Sequence, residues 1–164
     1  MPQPVALNDS IKQHYARSDL AAAILAALES AGKDIERLTL ADLEPVDEFH
    51  VRGREATLEL ARAAGLRADM HVLDVGSGIG GPSRRIAHEY GCRVTGIDLT
   101  EEYCRTATVL AERVGLSDLV NYRQGDALDL PFPDATFDLI WTQRNVVRNL
   151  QEGRIVLAQA VAEK

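Results

Sequence analysis

Residues 71–82 read HVLDVGSGIGGP, and this stretch limits the chain to few folds. A short apolar run carrying one carboxylate, Asp74, leads straight into Gly76, Gly78, Gly80 and Gly81. The same stretch opens GPSRRIAHEY, whose pattern is helical. Pro82 suits the first turn of that helix, where a missing N–H costs no intrahelical bond. Strand, glycine loop and helix together open a βαβ unit. Glycines admit positive φ and let a ligand come close to the backbone. The helix start that follows offers unpaired N–H groups to an anion. Two spacings fit the loop. Gly76, Gly78 and Gly81 satisfy G-x-G-x-x-G, the dinucleotide fingerprint, while Gly76, Gly78 and Gly80 satisfy G-x-G-x-G.

The chain after the loop repeats the alternation. The strand CRVTGID, the helix EEYCRTATVLAERVG and the strands LVNYRQG and FDLIWTQ follow. Strands alternating with helices predict parallel βαβ units in a doubly wound sheet. The loops after each strand then gather at one edge, where ligands bind. Ahead of the loop the texture is helical. Residues 10–31 present Leu20, Ile24, Leu25 and Leu28 on one face and stop at Gly32. IERLTLADLEPV predicts a short helix ending before Pro45, and RGREATLELARAAGL a helix closed by Gly65. Residues 1–10 read as a loose arm, and 150–164 as a loop that becomes an amphipathic helix.

Bulk properties narrow the partners. A chain of 164 residues with 46% apolar content suits one domain with a modest core. A net charge of −7 disfavours nucleic acid and anionic lipid. The histidines and cysteines show no metal-ligand spacing. Cys92 and Cys104 read as buried thiols of a reducing compartment. LAAAILAAL is too short to span a bilayer, and MPQPVALNDS lacks the pattern of a secretory leader. A cytoplasmic protein without a membrane span is expected.

Three carboxylates at predicted strand ends suggest the ligand. Asp74 is awkward beside a pyrophosphate, since both are anionic in a low dielectric. It suits a cationic head such as the ammonium of S-adenosylmethionine, held directly or through water, with the loop amides facing the ligand's carboxylate. A plain loop-capping role for Asp74 is the alternative. Asp98 ends the second strand, where a carboxylate can accept both hydroxyls of a ribose. Asp98 or Thr100 can equally cap the helix that follows. Gly125, Asp126 and Ala127 follow the third strand, where an acid can accept an adenine amino group and a backbone N–H can reach a ring nitrogen.

Taken together, these stretches resemble the class I S-adenosylmethionine-dependent methyltransferases over about residues 50 to 150. VLDVGSGIGG resembles their first motif, and VTGIDLTEEYC their second strand with its ribose-binding acid. GDALDLPFPDATFDLIWTQ resembles the adenine loop and fourth strand. The nearest flavour is the small-molecule group acting on quinones, sterols, tocopherols and amines, and FHVRGREAT resembles a helix start seen in some of that group. The resemblance implies that Asp74, Gly76, Ser77, Gly78 and Gly80 hold the methionine end. It implies that Asp98 and Leu99 take the ribose and the adenine face, Asp126 and Ala127 the adenine edge, and Gln143 a place near the sulfonium. It also implies a Rossmann-like sheet of order 3-2-1-4, with an N-terminal helical arm or lid over 1–49 and a cofactor domain over 50–164. WTQRNV lacks the motifs of the nucleobase-modifying branches, so the resemblance implies a small-molecule acceptor and no nucleic acid.

Full members of the family continue beyond the fourth strand through a helix, a turn that often reads Pro-Gly-Gly, and further strands. The chain reaches Lys164 in or just after that helix, so the cofactor half is expected here and the acceptor half only in part. A fragment, a natural short form completed by association, and a non-catalytic cofactor binder are the three explanations. FDLIWTQ would then be an apolar edge strand, open to pairing with another chain as a homo-oligomer.

Methyl transfer is a displacement at carbon in which positioning and water exclusion supply most of the catalysis. Candidates for the acceptor side are Tyr15, His50, Gln143 and Arg144. Tyr15 sits on the arm that can fold over the cofactor, or packs at a helix start. His50 has an ordinary pKa of about 6.5, suited to a base, or it caps a helix. Arg144 can bind an anionic acceptor or pair with a surface acid. Trp141 reads as core, and Cys104 as a small buried hydrophobe. Two other readings stand beside this one. An assembly module would associate through the fourth strand and the final helix, with IVLAQAV as its apolar face. A nicotinamide oxidoreductase rests on G-x-G-x-x-G alone and is opposed by Asp74.

Overall fold

The computed structural model of the protein describes residues 19–47 and 53–142. Three helices come first: α1 (Leu20–Ser30), α2 (Leu40–Asp47) and α3 (Gly53–Ala63). The strands β1 (His71–Val75), β2 (Arg93–Asp98), β3 (Val120–Gln124) and β4 (Leu139–Thr142) follow. Helix α4 (Gly81–Tyr90) joins β1 to β2, and α5 (Glu101–Arg113) joins β2 to β3. All strand pairs are parallel, in the order β3-β2-β1-β4. This is the doubly wound 3-2-1-4 sheet that the alternation and the resemblance imply.

Alternation along each strand builds two cores. Val72, Val94, Val120 and Trp141 pack with Ile86 and Ala87 of α4, Ala111 of α5 and Ala61 of α3. Leu73, Val75 and Ile97 point the other way, beneath Ala127, Leu130, Phe132 and Phe137. Those last four residues belong to the connection from β3 to β4, which crosses the second face of the sheet to the opposite edge. Phe132 meets Phe137 edge-on with centroids 4.9 Å apart, a favoured aromatic geometry. Trp141 and Cys104 are core residues, as expected.

Helix α1 packs on α5, and α2 and α3 on α4. Ile24, Leu28, Leu38 and Leu43 pack with Leu110 in one buried cluster. Thr39 and Asp42 start α2 as a reciprocal cap. The Asp42 carboxylate accepts from the Thr39 N–H and hydroxyl at 2.9 and 2.7 Å, and Thr39 Oγ1 accepts from the Asp42 N–H at 3.3 Å. Helix α2 does not end before Pro45 as the sequence predicts; Pro45 lies inside it. Proline here removes the N–H that would serve the Ala41 carbonyl, and its ring crowds that carbonyl. The fully buried Leu43 and an ion pair from Asp47 to Arg84 hold the last turn in place. Helices α1 and α3 stop ahead of Gly32 and Gly65, as expected.

Tyr15, His50, Gln143 and Arg144, and the final helix expected near the end of the chain, lie outside the described residues. Among the described residues, no helix is long and apolar enough to cross a membrane, and no group of His, Cys, Asp and Glu is arranged to hold a metal.

Candidate functional site

The loops after β1, β2 and β3 meet at Asp98. Its Oδ2 accepts the Gly78 N–H and its Oδ1 the Thr100 N–H, each at 2.9 Å. Its backbone carbonyl accepts the Gly125 N–H at 2.9 Å. One residue earlier, the Ile97 carbonyl accepts the N–H groups of Gly76 and Ser77 at 2.8 and 3.1 Å. The end of β2 therefore fixes the start of the glycine loop and the start of the 125–127 loop. Each carboxylate oxygen of Asp98 thus accepts a backbone N–H, one from the glycine loop and one from the start of α5. Burial pushes the Asp98 carboxyl above its ordinary range, and the N–H groups of Thr100 and Gly78 pull against that rise. Asp98 thus bonds the glycine loop and the residue just ahead of α5 at once. The cap expected from Thr100 is not made: its side chain forms no capping bond.

Asp74 lies beneath the glycine loop. It faces α4 and is 1% exposed. The Ser83 hydroxyl donates to Asp74 Oδ2 at 2.5 Å. Burial pushes the Asp74 carboxyl up to about 7, the Ser83 hydroxyl opposes the shift, and the charge of Asp98 adds to it. Register places Asp74, Gly96 and Tyr122 in one row across the sheet. The Tyr122 ring crosses β2 in the space where Gly96 has no side chain, and its hydroxyl donates to the Gly80 carbonyl at 3.2 Å. A Cβ on Gly80 would stand 2.4 Å from that hydroxyl oxygen, and one on Gly96 2.4 Å from the ring. Burial and the nearby carboxylates raise the Tyr122 phenol, which stays a neutral donor.

Arg84 anchors the far side of the loop. Its guanidinium donates to the Ile79 carbonyl at 2.6 Å and to Asp47 Oδ1 at 2.5 Å. Neither Arg84, Ser83, Tyr122 nor Asp47 is singled out by the sequence reading. Gly96 carried a usable signal, because a lone glycine inside a strand marks a close approach by another group. Nothing in the helical period of α4 distinguishes Arg84 from its neighbour Arg85.

The remaining predicted residues sit along the same edge. The Leu99 carbonyl accepts Gln124 Nε2 at 3.0 Å, and Asp126 Oδ1 accepts the Leu128 N–H at 2.9 Å. Ala127 packs on Leu73, Val75 and Ile97. At the ends of β1 and β4, the buried Asp74 Oδ1, Ser77 Oγ and Thr142 Oγ1 have no hydrogen-bond partner among the described residues. Val75 pairs with Thr142, which puts Thr142 at the junction of β1 and β4, and Asp74 pairs there with Trp141 on the other face, while Ser77 Oγ lies over Gly96 of β2. That junction is the point where strand order reverses, the usual ligand crevice of an open α/β sheet. Buried polar atoms without partners there fit a polar cofactor.

Comparison with known proteins agrees. A methyltransferase domain profile matches residues 72–162. Over 82 residues the chain is 44% identical to a sterol 24-C-methyltransferase of Gibberella zeae, which is 50% of this chain and 22% of that enzyme. Over 149 residues it is 30% identical to a sarcosine/dimethylglycine N-methyltransferase of Halorhodospira halochloris, covering 90% of this chain and 52% of that one. The chain thus spans about half of that relative's length or less of the others. A SAM-dependent methyltransferase from Thiobacillus denitrificans, solved with S-adenosylhomocysteine, is 31% identical with a TM-score of 0.52, over 60% of this chain and 40% of that one. With the profile running from β1 past β4 over more than half of its length, this chain belongs to the class I S-adenosylmethionine-dependent methyltransferase family.

Proposed function

We propose that the protein binds S-adenosylmethionine across the carboxyl ends of β1, β2 and β3 and passes its methyl group to a small-molecule acceptor. The observation that carries this reading is the convergence of three strand-end loops on Asp98, whose carboxylate and carbonyl bond all three. Asp98 takes the ribose hydroxyls, with Leu99 against the adenine. Asp126 and Ala127 meet the adenine edge. Gly76, Ser77, Gly78 and Gly80 wrap the methionine end, and Asp74 Oδ1 is the acceptor for the ammonium, directly or through a water. Pairing of β4 with β1 up to Thr142 supports Gln143 at the same edge, beside the sulfonium.

The bound cofactor would supply a methyl group already activated for displacement. The chain's own residues have to align it, exclude water and hold the acceptor in line. Tyr15, His50 and Arg144 are assigned to the acceptor side, with residues 1–49 as the helical arm over the cofactor domain of 50–164. Relatives named for a sterol carbon and for an amine nitrogen support a small acceptor. The net charge of −7 argues against nucleic acid, and buried free thiols at Cys92 and Cys104 support a reducing, cytoplasmic setting.

The test is transfer of label from methyl-labelled S-adenosylmethionine to panels of sterols, quinones, phenols and amines. One acceptor class is expected to take label. Asp98→Ala should raise the KM for cofactor roughly ten- to a hundredfold, the worth of hydrogen bonds to a charged group. A protein that binds S-adenosylhomocysteine and labels none of the panels would overturn the catalytic part of the reading.

A further inference from the structure

Arg84 has no role in the site as assigned above, yet its side chain is 0% exposed. Its guanidinium joins two separate parts of the molecule: the Ile79 carbonyl inside the glycine loop and the Asp47 carboxylate at the end of α2. Ile79 lies between Gly78 and Gly80, both at positive φ, so the local backbone does little by itself to fix where its carbonyl points. Asp47 also presses on the start of α4. A Cβ on Gly81 would stand 2.8 Å from Asp47 Cβ and 2.9 Å from its carbonyl oxygen. A well-packed apolar pair in place of a buried ion pair is often as stable or more so. A charged pair here is better explained by the geometry that it imposes. The planar fork of an arginine can serve a carbonyl and a carboxylate at once in fixed directions, which a lysine ammonium does not reproduce.

We propose that Arg84 and Asp47 form a positioning latch, which sets the cofactor-binding shape of the glycine loop through the Ile79 carbonyl and makes that shape depend on the docking of α2. The inference rests on the reading that this loop receives the methionine end of the cofactor. Coupling of this kind is reciprocal. Docked N-terminal helices tighten cofactor binding, and bound cofactor holds those helices down.

Calorimetric titration with S-adenosylhomocysteine and amide hydrogen exchange test the latch in Asp47→Asn, Arg84→Lys and the double variant. Leu116→Ala is the control, since Leu116 packs in the cluster of Val72, Val94 and Val120, which includes no residue of the glycine loop or of α1. Each latch variant is expected to bind roughly tenfold more weakly or worse, and the double variant no more weakly than the worse single. Without ligand, exchange at residues 78–80 should quicken in the latch variants. With ligand, exchange across α2 should slow in the wild type and much less in the variants. Leu116→Ala should lower the melting temperature and leave affinity within about twofold. Folded latch variants with wild-type affinity and wild-type exchange at 78–80 would overturn the proposal. So would losses that Leu116→Ala shares at equal melting temperature. If Arg84→Lys does not fold, Asp47→Asn decides. If the wild type binds no ligand, the functional reading fails, and exchange at 78–80 in the unliganded variants still decides whether the latch shapes the loop.

Discussion

At the scale of single residues, Asp74 joins burial and charge to the ligand contact proposed for it. Its carboxyl stands at about 7 in the folded chain against an ordinary 3.8. Below the ordinary value both folded and unfolded chains hold the proton, and the group contributes nothing to stability. As pH rises toward 7 the unfolded chain loses its proton while the folded chain keeps it, so stability falls. Above 7 the full cost stands, on the order of 4 kcal/mol. Asp74→Asn should therefore be more stable than wild type to urea above neutrality, with the gain vanishing in acid. An ammonium beside Asp74 Oδ1 favours the ionised form. S-adenosylhomocysteine should thus release a proton on binding near neutrality and bind more tightly as pH rises through 7. Titrations in buffers of different ionisation enthalpy read this directly, and Asp74→Asn should show neither effect. Gly80→Ala should cost about 1–3 kcal/mol, since its Cβ would strike the Tyr122 hydroxyl. The urea midpoint measures that loss. The carboxylates and glycines were legible in the sequence because each stands at a strand end. Ser83, Arg84 and Tyr122 were not, because burial of a polar side chain is decided by neighbours distant in the chain.

At the scale of elements, period and punctuation told most of the story. β1 and β2 are short apolar runs, and α4 starts with proline as expected. The two departures share one cause, which is tertiary contact overriding a local preference. Pro45 falls inside α2 because Leu43 and Asp47 are held from outside the helix. Thr100 stands at the N-cap of α5 without a side-chain cap bond, its N–H held by Asp98, which also holds the glycine loop. If packing holds α2 in this way, Leu43→Ala should destabilise the chain by about 2–5 kcal/mol. Circular dichroism during urea unfolding measures it. A loss well under 1 kcal/mol would mean that α2 is held mainly by its polar contacts.

At the scale of the whole molecule, parallel order and the reversal between β1 and β4 bring three loops to one edge. That much followed from alternating strands and helices, and the glycine spacing located the site on it. The sequence did not show that the N-terminal helices reach the glycine loop, because no residue pattern connects Asp47 to Arg84. The central claim is that this edge holds S-adenosylmethionine. Calorimetric titration of the whole chain with S-adenosylhomocysteine, with NADH as the control, tests it most directly. Saturable binding of S-adenosylhomocysteine and none of NADH is the predicted result. Saturable NADH binding, or no binding of S-adenosylhomocysteine by the folded chain, would contradict it.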